Sequence, residues 1–525
     1  MSSVSQYKVL ITTSGIGSRL GNLTQFTNKC LIRVGEKPAI SHIIDLYPSD
    51  IPIIVTLGYF GEHVRQFLEI AYPERSIEFV DVPNYNGPGS SLAHSMLAAK
   101  SNLQSPFIFH ASDSLLLETQ IAEPDCNWIG GAHQRDASNY ATFDVAADRV
   151  TKFHPKGMVD FDLVHIGVVG IKDFKIFWET LRRCILEFPF DSSLNDVIVL
   201  KNMLHEIKIE YRVFENWLDI GNSFSLGNAR AILDKGSSIL EKESESVMFV
   251  NDKVIKFFAD SNQCQARVKR ELDLRGFVPI IDKATKNFFS YSYIRGDTLS
   301  NSKNPSDITQ LLDFTHEFFW KIDTTGVNSS FKERAHAFYA EKTISRTSDY
   351  VKTRGFPDSH YKINGIQVPP LHEYLPEAFS YLQKDLRPSR FHGDFILDNI
   401  IKHDSSFTFI DWRQDFGGSL SLGDIYYDFA KLNHSFVVNH EIVNKGLFEV
   451  NRKSDEVTVG ILRKDNLVEM QLLFNNWILS HGYDLKKISI LTSVIWLNMS
   501  PIHHHPFNDF LFEFGKLQLW RALHV

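Results

Sequence analysis

The chain has 525 residues, 55 Lys and Arg against 63 Asp and Glu, a formal net charge of -8, and 43% hydrophobic and 13% aromatic residues. That length is too great for one core and implies about two to four domains. The balanced charge excludes a nucleic acid or an anionic membrane as the main partner.

Met1–Lys8 is short and polar, leads straight into a strand, and lacks a signal-peptide pattern. Val9–Thr12, Ile53–Leu57 and Phe107–Phe109 read as buried strands, and Ala39–Leu46 and His63–Ala71 as crossover helices. Such alternation predicts a mostly parallel sheet with helices on both faces and ligands at the carboxyl ends of the strands. A helical stretch, Asn228–Leu233, precedes Lys235-Gly236-Ser237-Ser238 and the charged run Glu241–Ser246. So polar a segment has little to bury, which places a boundary near residue 240 and domains at 1–240 and 241–525. Val247–Val250 and Lys253–Phe257 flank Asn251-Asp252 as a hairpin. From about residue 305 the pattern is mostly helical. Ile488–Met499 is too short and too often interrupted by polar residues to span a membrane, and reads as a core helix. Cys30, Cys126, Cys184 and Cys264 lack C-x-x-C spacing and read as reduced thiols.

Ser14-Gly15-Ile16-Gly17-Ser18-Arg19-Leu20 follows the first strand. Its glycines let backbone N–H groups approach phosphate oxygens, and Arg19 adds a bidentate fork. Lys29 follows, then a second Gly-rich loop, Gly87–Leu92, then Asp113 after an apolar run, then Trp217-Leu218-Asp219-Ile220-Gly221-Asn222. Together these residues, over roughly 7–235, resemble the sugar-phosphate nucleotidyltransferases, with a Rossmann-like fold. The resemblance implies attack by a substrate phosphate oxygen on the α-phosphorus of a nucleoside triphosphate, with release of pyrophosphate. It implies that Gly15, Gly17, Ser18, Arg19, Lys29 and Ser90 bind nucleotide, Arg19 and Lys29 acting in catalysis. Asp113 and Asp219 would hold Mg2+, and Lys156 and Gly167 would bind the substrate. Asn28 and Asn222 stand where the family usually has Pro and Thr. The loop is also similar to that of the choline-phosphate cytidylyltransferases, so the substrate stays open between a sugar phosphate and an amino-alcohol phosphate, and the nucleotide between CTP and UTP.

In His392-Gly393-Asp394-Phe395-Ile396-Leu397-Asp398-Asn399, an Asp and an Asn lie five residues apart; Asp411 follows the apolar run ending Phe409-Ile410. This is the spacing of a phosphotransferase, in which one carboxylate accepts the proton of the attacking hydroxyl while the amide and the second carboxylate hold magnesium. The motifs resemble the aminoglycoside phosphotransferase and choline kinase family. That resemblance implies a bilobal, kinase-like α+β domain, with a small lobe at about 246–300 and a helical large lobe at about 301–525. It makes Asp394 the base and Asn399 and Asp411 the metal ligands. Lys256, Glu271 and Ile294 would bind ATP, Lys256 gripping phosphates and Ile294 lying in the segment that holds adenine. Gly423-Asp424 to Asp428-Phe429-Ala430-Lys431 reads as a structural support for the catalytic loop, and His392 as a core histidine. His503-His504-His505 reads as a polar wall of the acceptor pocket or as plain structure rather than a metal site, since three consecutive side chains do not share a face.

The combined expectation is a cytoplasmic α/β bifunctional enzyme using Mg2+ at both sites, ATP, and CTP or UTP. It would phosphorylate a small sugar or polyol and couple the phosphate to a nucleotide, giving a precursor for surface polysaccharide such as a capsule. Its partners would be small molecules, without nucleic acid or membrane insertion; a homo-oligomer stays open. A choline- or ethanolamine-type pathway with CTP is the alternative. A dead nucleotide-binding scaffold ranks last because Asp113, Asp219, Asp394 and Asp411 are all present.

Overall fold

A computed structural model of the protein describes residues 7–234, 244–323, 325, 327–404 and 406–524. Met1–Gln6, Lys235-Gly236-Ser237-Ser238 and the start of the charged run at Glu241 lie outside the described residues, as does the expected boundary near residue 240. The chain forms two compact units. The first runs to Ser261 and includes Lys283–Tyr291; the second comprises Asn262–Asp282 and Ser292 onward.

The first unit is built on a nine-stranded sheet. Lys8–Thr12 lies between Phe107–Ala111 and Ile53–Leu57 and is parallel to both, with Val9 opposite Ile53 and Ile108; Ile77–Asp81 extends the parallel set. Alternate residues of these strands enter different cores. Val9, Ile11, Ile53 and Val55 meet the helices Ala39–Ile44 and Gly61–Ala71, while Leu10, Ile54, Phe107 and Phe109 meet Leu92–Ala98 and Phe174–Glu187. This is the doubly covered parallel arrangement that continuous apolar strands predict. Beyond Phe107–Ala111 the sheet turns antiparallel through Leu163–Ile171, whose register shifts between His165 and Val169. Gly167, with φ +77°, sits within that irregularity, where an added Cβ would meet the Ala111 Cβ at 2.8 Å.

A second sheet, in the order Glu245–Val250, Lys253–Phe258, Phe288–Ser292, Lys283–Ala284, contains the expected hairpin. Asn251 and Asp252 both take positive φ (51° and 58°), as a two-residue type I′ turn needs. Met248, Phe257 and Phe288 share a core with Val64, Phe67 and Ile70 of the helix Gly61–Ala71. Gln66 Oε1 accepts from the Asn287 backbone N–H at 2.9 Å, and Phe249 N–H donates to Glu36 O at 2.9 Å.

The second unit is mainly helical, as the pattern after residue 305 predicts. The helix Leu485–Met499 is buried along most of its length beside Ile425–Val437 and Phe507–His524. Asn433 Nδ2 donates to Thr492 Oγ1 at 3.0 Å, and Trp496 Nε1 to His434 Nδ1 at 2.7 Å. A three-stranded sheet of Asp297–Thr298, Ile400–His403 and Ser406–Phe409 carries the kinase-like loop. Edge-to-face rings of Phe319, Phe395 and Phe409 pack around it. Among the described residues no helix is long and apolar enough to cross a membrane. All four cysteines are free thiols.

Candidate active sites

The first site lies at the carboxyl ends of the parallel strands. Gly17 takes φ +71°, and an added Cβ would lie 3.0 Å from the Lys29 Cβ, so the loop can close over Lys29 only with glycine there. Asn28 stands in for the expected proline by three hydrogen bonds. It donates to Thr13 O (2.7 Å) and Tyr59 O (2.6 Å) and accepts from Cys30 N–H (3.0 Å), capping the short turn Lys29–Leu31. Lys29 Nζ thereby reaches Asp113 Oδ2 at 2.8 Å. Burial alone would raise the Asp113 carboxyl, but the Lys29 ammonium and the Arg19 guanidinium hold it below the usual carboxylate range.

Asp219 arrives from farther along the first unit because Trp217–Asp219 pairs with Ser114–Leu116, setting Asp219 opposite Ser114. The ladder is pinned by Trp217 Nε1 donating to Ser114 Oγ at 2.9 Å and Ile220 N–H to Asp113 O at 3.0 Å. A Cβ added to Gly221 would lie 3.1 Å from Asp219 Oδ1, 3.4 Å from an Arg19 nitrogen and 3.5 Å from Asp113 Oδ2. Arg19, Asp113 and Asp219 therefore converge on one point, which only glycine leaves open. Tyr140, not singled out from sequence, donates to Asp219 Oδ2 at 3.1 Å. Asn222 caps the helix Ser223–Leu233 by accepting from Phe224 and Ser225 N–H.

The remaining residues of this set make other contacts. Gly15 and Ser18 are exposed in the loop. Ser90 closes its own turn, Oγ donating to Gly87 O at 2.6 Å, and Ser91 caps the next helix. Ser95 of that helix and Ser14 of the first loop share a hydrogen bond of 2.6 Å, which ties the two loops together. Lys156 is exposed in a turn held by Gly157 N–H on Ala137 O, and Gly167 lies against Ala111 two residues before Asp113.

In the second unit, His392 is buried and accepts from Asp394 N–H at Nδ1 (3.2 Å), while Nε2 meets Ile410 O at 2.9 Å. Burial pushes its imidazole down to about 3, so it is a neutral strut between the loop and the strand that leads to Asp411. Gly393 takes φ +86°, with Arg413 so close that an added Cβ would meet the Arg413 Cβ at 2.6 Å. Asn399 Nδ2 donates to Asp394 O (2.9 Å) and Asp394 Oδ2 (3.3 Å), which fixes its carbonyl oxygen on the opposite side. Asp411 takes φ +62°, a left-handed conformation that costs a non-glycine residue energy and is kept by its surroundings.

The loop is carried by buried charges. Asp428 accepts from His392 N–H (2.8 Å), Gly393 N–H (2.7 Å) and Trp320 Nε1 (3.0 Å). Arg270 Nη2 donates to Phe391 O at 2.5 Å, and the guanidinium stacks on the Phe391 ring at 4.0 Å. Three residues after Asp428, Lys431 Nζ reaches Asp394 Oδ1 at 2.7 Å. The sequence showed Lys431 only as the end of a supporting motif; its i,i+3 spacing from Asp428 on one helix face was the available signal. Lys256 is buried in the hairpin strand. Glu271 is buried and takes both Arg275 donors at 3.1 and 3.2 Å. Ile294 is partly buried ahead of Asp297–Thr298, which pairs with Ile401 and Lys402. At the histidine run, His505 Nδ1 lies 2.8 Å from Asp509 Oδ2.

Among the described residues no three His, Cys, Asp or Glu side chains surround a common point. The donor sets still fit magnesium, which takes one or two carboxylates and completes its shell with water and phosphate oxygens. Asp113 with Asp219, and Asn399 with Asp411, are the residues that would hold it, where it would neutralise phosphate charge.

Residues 279–442 match the phosphotransferase enzyme family. Over 233 residues, 42% of this chain and 53% of the relative, the sequence is 23% identical to the bifunctional protein GlmU of Methanococcus vannielii, so the chain spans about half the length of the curated relative it matches. Among solved structures it is similar to the CTP:phosphocholine cytidylyltransferase of Streptococcus pneumoniae, with 20% identity, 44% of this chain and 100% of that one, and a TM-score of 0.38. It is also similar to the inositol-1-phosphate CTP transferase of T. maritima, with 15% identity, 45% and 99% coverage, and a TM-score of 0.36. The family match lies in the C-terminal half of the chain, and the similarity to the curated relative lies in the N-terminal half.

Proposed function

We propose that residues 241–525 phosphorylate a small hydroxyl compound with ATP and that residues 1–240 couple the resulting phosphate to a nucleotide from CTP or UTP. The first reaction forms a bond from the acceptor oxygen to the γ-phosphorus and breaks the bond to ADP, while Asp394 takes the hydroxyl proton. The second forms a bond from the new phosphate to the α-phosphorus of the second triphosphate and releases pyrophosphate, with Arg19 and Lys29 against the triphosphate oxygens. Positioning and charge neutralisation supply most of the acceleration in both. The product would be a nucleotide-activated sugar or polyol, made in the cytoplasm for a surface polysaccharide.

The observation that carries this reading is that Asp394 and Asn399, held by Asp428 and His392, and Asp113 and Asp219, gathered at Gly221, form two separate carboxylate sites. Its test is incubation of the full chain with Mg2+, ATP, each other triphosphate and a panel of sugars, polyols and amino alcohols, read by mass spectrometry. A nucleotide-linked adduct should require both ATP and one further triphosphate. Phosphorylation that persists in Asp394→Ala would sink the assignment of the base.

A further inference from the structure

Beside Asp394 four cationic side chains gather. Lys342 Nζ and Arg413 Cζ address the same ring, 4.7 and 5.0 Å from the centroid of Phe338. Phe338 meets Tyr427 edge-on with centroids 4.9 Å apart. Tyr427 lies one helical turn before Lys431, which holds Asp394 at 2.7 Å. Arg346, one turn beyond Lys342 on the helix Lys342–Thr353, is anchored by Nη1 donating to Asn498 O at 3.1 Å. Arg413 is fixed to the catalytic loop itself, its N–H donating to His392 O at 3.0 Å.

The charges oppose one another. Burial, then Arg413, Arg346 and Lys431, push the Lys342 ammonium down to about 6, with Asp415 acting weakly against them. Among the described residues, no carboxylate forms an ion pair with Lys342, Arg346 or Arg413. Like charges crowded in this way destabilise a fold unless a ligand brings the counter-charge.

We infer that Lys342, Arg346, Arg413 and Lys431 form the acceptor subsite of the second site, and that the hydroxyl compound phosphorylated there carries an anionic group, a carboxylate or a phosphate. This rests on the phosphotransferase reading proposed above. It disfavours a quaternary ammonium alcohol, whose charge would face the guanidinium groups of Arg346 and Arg413.

The test is calorimetric titration of the full chain, without nucleotide, with D-glycerate, glycerol 3-phosphate, glycerol and choline. At least one of the anions should bind about 10-fold or more tighter than glycerol and choline, as expected for hydrogen bonds to a charged group. The stronger of the two distinguishes a carboxylate from a phosphate site. Lys342→Gln with Arg346→Gln should lose that preference, and Lys342→Arg with Arg346→Lys, a control for folding, should retain it. The inference is overturned if glycerol or choline binds as well as the anions, if neither anion binds, or if the glutamine pair binds them as the wild type does. An ATP KM raised by the glutamine pair with anion binding unchanged also overturns it, placing the cluster at the triphosphate. Phosphorylation assays on the same compounds separate the two readings. Anion binding at the cluster without phosphorylation of any compound would leave the subsite standing and sink the phosphotransferase reading. Phosphorylation of neutral acceptors alone would do the reverse.

Discussion

Lys431 Nζ stands 2.7 Å from Asp394 Oδ1, on a helix whose Asp428 holds the same loop by two backbone N–H groups. Burial would lower the Lys431 ammonium, but the charge of Asp394 keeps it above its ordinary value, so Lys431 is a fixed cation at every working pH. Lys431→Met should lower kcat for phosphorylation by about 10- to 100-fold, the range for removing one preorganised charged donor. Because Lys431 also lines the proposed acceptor subsite, acceptor KM should rise as well, and Lys431→Arg should restore part of the rate.

Lys29→Ala removes the ion pair on Asp113. Formation of the nucleotide adduct should fall by about two to three orders of magnitude, while phosphorylation of the acceptor continues unchanged. The Asp113 carboxyl is held below its ordinary range, so its contribution to stability is present above that range and lost as pH falls through the depressed value. The variant should therefore lose less stability on acidification than the wild type, as read by thermal unfolding below pH 5.

Asp428 behaves in the opposite sense. Burial raises its carboxyl from 3.8 to about 6, against the pull of its hydrogen-bond donors. A folded-state value above the ordinary one gives stability that is complete below the ordinary value and lost as pH rises to the raised one. The wild-type advantage over Asp428→Asn should thus shrink between pH 4 and 6, by about 3 kcal/mol from the size of the shift. Parallel unfolding curves of the two proteins across that window would refute it.

Glu513 is buried with Arg354, Nη1 to Oε1 at 3.0 Å, each side chain 1% exposed, and accepts from Tyr361 Oη at 2.8 Å. Arg452 reaches the same carboxylate at 2.6 Å. Glu513→Ala strands two guanidinium groups, one of them wholly buried, and should cost about 3 to 5 kcal/mol in denaturant unfolding. A loss under 1 kcal/mol would mean that water replaces the carboxylate.

The parallel strands and the hairpin were legible because their signals are local: apolar runs of strand length, and an Asn-Asp pair between two such runs. The carboxylates were legible as lone acids beside glycines. What the sequence concealed were pairings set by tertiary position. Tyr140 looks ordinary until the ladder of Trp217–Asp219 on Ser114–Leu116 brings Asp219 within reach, and Asn28 until the fold sets Thr13 O and Tyr59 O beside it. Lys342, Arg346 and Arg413 are spread over seventy residues and acquire meaning only around Phe338. The antiparallel half of the first sheet was missed for a similar reason, since a β-bulge leaves no period in the pattern.

The sheet of Glu245–Phe258 and Phe288–Ser292 lies on the helix Gly61–Ala71, so Phe67 and Gln66 have their burial and their bonds only when that later segment is present. The two portions of the chain are consequently not interchangeable cassettes. A gene cut at residue 240 would bare the apolar flank of Gly61–Ala71, and a cut after Tyr291 would take Asn262–Asp282, with Arg270, away from the loop that Arg270 holds.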